Sequence, residues 1–154
     1  MSPESRYLRF FAAMPRLPDR FLGDLLNLDG WNRVAIGAES ATVGPQFGDA
    51  FGVARFVRLA EEPETAEAAV TVVDCMQRRG LGRLLLRALA AAARERGITK
   101  FRAEVLRGNE AMAALLREFD GEARPIAAEG GVAVYEIHLG QRLVTAATSP
   151  EPRR

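Results

Sequence analysis

Glu67-Ala68-Ala69-Val70-Thr71-Val72-Val73, followed after Asp74, Cys75 and Met76 by Gln77-Arg78-Arg79-Gly80-Leu81-Gly82-Arg83, is the stretch that decides the fold. Its first half is a β-branched run, the pattern of a strand buried on both faces at the centre of a sheet. Past the glycines, Leu81, Leu84, Leu85, Ala88 and Leu89 recur at helical spacing until Gly97 stops the helix. Lys100 to Leu106 then reads as another strand. Strand, helix and strand in this order require a parallel pair, because a crossover of this length is not a hairpin.

Working outward, Val34 to Ala38 is short and apolar and ends at the polar pair Glu39-Ser40, which makes it a strand. Ala50 to Leu59 alternates well enough to be a second, and Glu61 to Thr65, with Pro63, is the turn that follows. Downstream, Asn109 is a good N-cap for a helix through Phe119, whose apolar side carries Met112, Leu115, Leu116 and Phe119. Gly130 to Leu139 reads as the last strand. Before all of these, residues 2–29 suggest two short helical pieces around a loop marked by Pro15 and Pro18, and Gln141 to Arg154 reads as a flexible C-terminal tail. The class is α/β, a mixed sheet with helices packed on it.

Length and composition set the bounds. The 154 residues, 48% hydrophobic and 27% charged, fit one domain with a real core, residues 1–140, and exclude a disordered chain. No apolar run reaches the 18 or so residues of a membrane span and no basic-then-apolar leader follows Met1, so a cytoplasmic protein is expected. Cys75 is the single cysteine and His138 the single histidine, which excludes an internal disulfide and leaves a Cys/His zinc site without ligands. No metal is expected. Cys75 itself reads as a small buried filler beside the glycine turn. A net charge of +1 gives no general footprint for nucleic acid, although Arg78, Arg79, Arg83 and Arg87 crowd ten residues, a cluster that would suit a small anionic ligand.

A strand running into Gly80-x-Gly82 and then a helix presents unpaired N–H groups and the positive end of a helix dipole to whatever sits above the turn. Glycines let phosphate oxygens approach the backbone, although a tight turn that needs glycine for its dihedrals would look the same. The dinucleotide fingerprint requires a third glycine where Leu85 stands, and the phosphate loop of nucleotide hydrolases requires a Gly-Lys pair that is absent. What stands here, Gln77-x-x-Gly80-x-Gly82 after a β-branched strand, resembles the acyl-CoA signature (Gln or Arg)-x-x-Gly-x-(Gly or Ala) of the GNAT superfamily of N-acetyltransferases. Asn109 matches the usual Asn of that family, and Ser2-Pro3-Glu4-Ser5-x-Tyr7-x-Arg9-Phe10-Phe11 resembles the acetyltransferase domains of bacterial protein-lysine acetyltransferases of the Pat type.

The resemblance implies a GNAT-like sheet, mostly antiparallel, with a central splayed parallel pair and helices on both faces. It implies acetyl-CoA as co-substrate, its pyrophosphate on the turn formed by Arg78, Arg79, Gly80, Leu81, Gly82 and Arg83. Val72 and Val73 would pair with the pantetheine amides, the main chain near Val73 would donate to the thioester oxygen, and Asn109 would position the pantetheine arm or thiol. Glu67, ten residues before Gln77, matches the general-base position, the base an ammonium acceptor needs before it can attack the thioester directly.

Two departures from the family pattern stand out. Leu116 occupies the place of a Tyr that serves many members as general acid, with Tyr7 and Tyr135 as conceivable substitutes. The chain also starts at the Ser-Pro-Glu-Ser segment, so a first edge strand is expected to be missing and strand 33–38 to expose a backbone edge that invites a homodimer. The implied reaction moves an acetyl group to a primary amine, foremost a protein lysine. A small-molecule amine such as a polyamine, amino acid or aminoglycoside is the second acceptor class, and a non-catalytic acyl-CoA-binding module is the third reading. Neither nucleic acid nor membrane is an expected partner.

Overall fold

The computed structural model describes residues 26–40 and 50–140, so all but the last four of residues 2–29, where helical pieces were expected, and the tail from Gln141 lie outside the described residues. Eight elements follow in order: β1 (Arg33–Glu39), β2 (Ala50–Arg58), β3 (Thr65–Val72), α1 (Leu81–Glu95), β4 (Lys100–Leu106), α2 (Glu110–Phe119), β5 (Arg124–Glu129) and β6 (Val132–His138). A single 3-10 turn, Asp74–Met76, leads from β3 toward α1. The strands form one sheet in the order β1-β2-β3-β4-β6-β5. Every pairing is antiparallel except β3 with β4.

Alternation along the strands sends one set of side chains to a single core. Val34, Ala54, Phe56, Ala66, Val70, Phe101, Ala103, Val105, Tyr135 and Ile137 share that core with Leu85, Leu86, Leu89, Ala90 and Ala93 of α1. Small residues at Ala54 and Ala66 let the helix approach the sheet, while Phe56 and Phe101, with ring centroids 6.0 Å apart, fill the space beside them. Each fully buried Leu or Phe contributes roughly 1.5–3 kcal/mol. Gly52 is where the backbone comes closest: a Cβ there would stand 2.9 Å from the Thr71 carbonyl oxygen and 3.0 Å from Leu85 Cδ1.

The second helix rests against the first, with Ala113 and Leu116 in the same core. The two described helices therefore pack on one face of the sheet. The other face carries Arg55, Glu67, Arg102, Glu104, Glu136 and His138. β1 is an outer strand, and no described strand pairs with its free edge. At the opposite side β5 is a strand the sequence does not announce: all six of its residues are exposed, so nothing imposes an alternating pattern.

Candidate active site

The centre of the sheet splits. Leu59 N–H donates to Thr65 O and Val73 N–H to Phe51 O, each at 2.9 Å. Antiparallel alternation then turns the main chain of Thr65, Glu67, Ala69, Thr71 and Val73 toward β2 and that of Ala66, Ala68, Val70 and Val72 toward β4. The parallel ladder to β4 holds only Thr65↔Lys100, Ala66↔Phe101 and Glu67↔Arg102. On the other side Leu139 N–H donates to Thr99 O and Arg107 N–H to Gly131 O, both at 2.8 Å, which leaves the main chain of Glu104 and Leu106 facing the split. A cleft therefore opens between Val70-Val72 and Glu104-Leu106.

The glycine turn closes over the end of that cleft. Gln77 Nε2 donates to Val72 O at 3.2 Å and ties the turn back to β3. Arg78 (φ 59°) and Gly80 (φ 82°) both adopt left-handed backbone, and a Cβ on Gly80 would meet open space. Gly80 caps α1 without any side-chain hydrogen bond, so the first-turn N–H groups of Leu81, Gly82 and Arg83 point outward as donors. Gly82 has a different job, because a Cβ there would lie 3.3 Å from Leu115 Cδ2 and 3.8 Å from Val72 Cγ2. It lets α1, α2 and β3 meet. Asn109 Oδ1 accepts from Met112 N at 3.2 Å and caps α2, leaving the side-chain amide nitrogen as a donor.

Glu67 is exposed on the face away from α1, on the last rung of the parallel ladder. Beside it Arg102 makes a fork with Glu62, Nη1 to Oε1 and Nη2 to Oε2 at 2.8 Å each, and its Nε lies 3.6 Å from Glu136 Oε2. Hydrogen bonds from Arg102 hold the Glu62 carboxyl below its ordinary range, and Glu62 in turn raises the guanidinium. Sequence reasoning missed this trio. Its members come from a loop and two strands, so only the register between β3, β4 and β6 brings them together.

The profile of the acetyltransferase (GNAT) family matches residues 18–121. The chain belongs to the GNAT family. Acetyltransferase Pat of Mycolicibacterium smegmatis is 37% identical over 112 residues, which is 72% of this chain and 32% of that protein. The chain thus spans about a third of the length of that curated relative. The crystal structure of the GNAT domain of S. lividans PAT is 34% identical, with a TM-score of 0.75 over 89% of this chain and 78% of the other. A putative acetyltransferase from Salmonella typhimurium, solved with its cofactor acetyl-CoA, shares the fold at 20% identity and a TM-score of 0.62, covering 94% of this chain and 89% of that one.

The structure places three of the residues singled out from sequence as follows. The Val73 N–H is spent on Phe51 O, so the strand edge that faces the cleft is that of Val70 and Val72. Arg83 is ion-paired with Glu118 of α2, which leaves Arg78 and Arg79 as the arginines of the turn outside such a pair. Cys75 is exposed in the 3-10 turn, not buried, because the strand has already ended at Val72. Leu116, in the place of the usual Tyr, is 2% exposed, and Tyr135 at 8% is likewise part of the core. Tyr7 lies outside the described residues. Among those residues no group of three His, Cys, Asp or Glu side chains could hold a metal ion, and no helix is long and apolar enough to cross a membrane.

Proposed function

We propose that this GNAT domain transfers an acetyl group from acetyl-CoA to a primary amine, with a protein lysine as acceptor and Glu67 as general base. The observation that carries the reading is the split between β3 and β4, which ends at a glycine turn whose helix has no side-chain cap. Main-chain groups of Val70 and Val72 suit the amides of an extended pantetheine chain, as an added strand would. The N–H groups of Leu81, Gly82 and Arg83, with Arg78 and Arg79 beside them, suit the pyrophosphate. The Asn109 amide is placed at the start of α2 to orient the thiol end. A donor on the cleft edge near Val72 opposes the charge that gathers on the thioester oxygen.

Glu67 stands about 16 Å of strand from Val72, farther than one bridging water spans, so the proton of an amine attacking near the open end reaches Glu67 along a chain of waters. The lysine acceptor draws support from the similarity to acetyltransferase Pat at 37% identity. The experiment is turnover with acetyl-CoA and a lysine peptide panel, beside calorimetric titration of the same chain with acetyl-CoA. Glu67→Gln keeps acetyl-CoA binding and lowers turnover by roughly 10²–10⁴. Equal turnover of Glu67→Gln and the native chain between about pH 6 and 9, the span over which an amine must lose its proton, removes Glu67 from the reaction.

A further inference from the structure

Arg102 and Glu67 share the last rung of the β3–β4 ladder. Neighbouring strands stand about 4.8 Å apart, so an arginine on one reaches a carboxylate on the other without strain. Arg102 nevertheless makes no ion pair with Glu67. Its two terminal nitrogens go to Glu62 at 2.8 Å each, and its Nε lies 3.6 Å from Glu136 Oε2, the residue on its own rung of β6. That Nε is buried and makes no hydrogen bond, so the side chain keeps this direction at the cost of one unmade bond. The two flanking carboxylates, one in the β2–β3 loop and one on β6, set where the guanidinium lies.

The chemical consequence concerns Glu67. A carboxylate that accepts a guanidinium fork has its lone pairs and its charge engaged, and is a poorer proton acceptor. The other charged groups on this face include Arg33 of β1, Arg55 of β2, Lys100 and Glu104 of β4, Glu136 and His138 of β6 and Arg124 of β5, with Glu62 and Glu64 in the loop. Arg102 is the cation directly opposite Glu67, with Arg33 and Arg124 farther along the same row, each one strand removed from this pair, and no described helix packs between Glu67 and Arg102.

We propose that Glu62 and Glu136 are positioning residues that hold the Arg102 fork away from Glu67 and so keep the Glu67 carboxylate open to the proton of the acceptor amine. The proposal rests on Glu67 being the base, and its test separates the two. The Glu67 carboxyl is titrated by ¹³C NMR in the full chain, its signal identified by loss in Glu67→Gln. Arg102→Gln is then introduced into the native chain and into Glu62→Gln.

With the clamp closed, removing Arg102 moves the Glu67 midpoint by only a few tenths of a pH unit. With the clamp opened by Glu62→Gln, Arg102 closes on Glu67, and removing it raises the midpoint by about one pH unit or more. An equal shift in both backgrounds overturns the proposal, because a fixed guanidinium acting at a distance gives that result. Amide spectra verify folding, and Glu136→Gln takes the place of Glu62→Gln should the latter unfold. Unequal shifts with normal turnover of Glu67→Gln mean that the clamp exists but Glu67 is not the base. Equal shifts with slow Glu67→Gln leave the base standing and remove the clamp.

Discussion

The two ends of the β3–β4 pair are built differently. At the closed end, three rungs of ladder and the Glu62–Arg102–Glu136 trio tie the strands together, and the Phe56 and Phe101 rings fill the space. At the open end the strands run on to Val72 and Leu106 without pairing with each other, and the Gln77 side chain ties the turn back to Val72 O. The closed end holds the two strands in place, while the open end leaves their main-chain groups unpaired with each other across the split. A sheet continuous to its tip would have spent those groups on itself.

The contrast is broken most severely at Phe101, which is fully buried against Phe56. Phe101→Ala is expected to cost about 3–5 kcal/mol in urea unfolding, and a loss under about 1 kcal/mol, well below that range, means that the closed end does not depend on that ring. A smaller effect is expected at the open end. Gly52 pairs with Val72, and its missing Cβ faces a backbone oxygen 2.9 Å away that cannot swing aside. Gly52→Ala should destabilise by about 1–3 kcal/mol and weaken acetyl-CoA binding by displacing the end of β3. Destabilisation with unchanged binding would show that the cleft tolerates a shift of that strand.

The smallest effect sharpens the closed end through pH. The Glu62 carboxyl is held below its ordinary value near 4.5 by Arg102, so the folded state binds fewer protons than the unfolded one around that pH. Its contribution to stability is complete above the unfolded value and is lost as pH falls through the folded one. Asp29, which accepts backbone N–H bonds from Trp31, Asn32 and Arg33, acts in the same direction. The melting temperature should fall as pH is lowered from about 5 to 3, and less steeply in Glu62→Gln. Identical slopes would show that the fork adds nothing in solution.

Much of the centre was legible. Lys100–Leu106 is the strand its pattern announces, Leu81 begins α1, and Asn109 caps a helix that ends at Phe119. Patterns repeat there because each element buries one side and exposes the other. Legibility failed where that reason is absent. β5 exposes every residue and is a strand only because β6 offers it an edge. Thr65 and Ala66 precede the β-branched run but are buried by pairing with Lys100 and Phe101.

By itself the sequence determined the order of the central elements, the parallel pair and the glycine turn, because these follow from local periodicity, capping and dihedral preference, whereas Glu67 was singled out by family resemblance. Tertiary structure alone decided which backbone edge faces the cleft, that Arg83 turns to Glu118, and that Glu62 and Glu136 close on Arg102. Each of these depends on register or packing between segments distant in the chain. A register is fixed by the summed burial of whole strands, and no single stretch of residues encodes it.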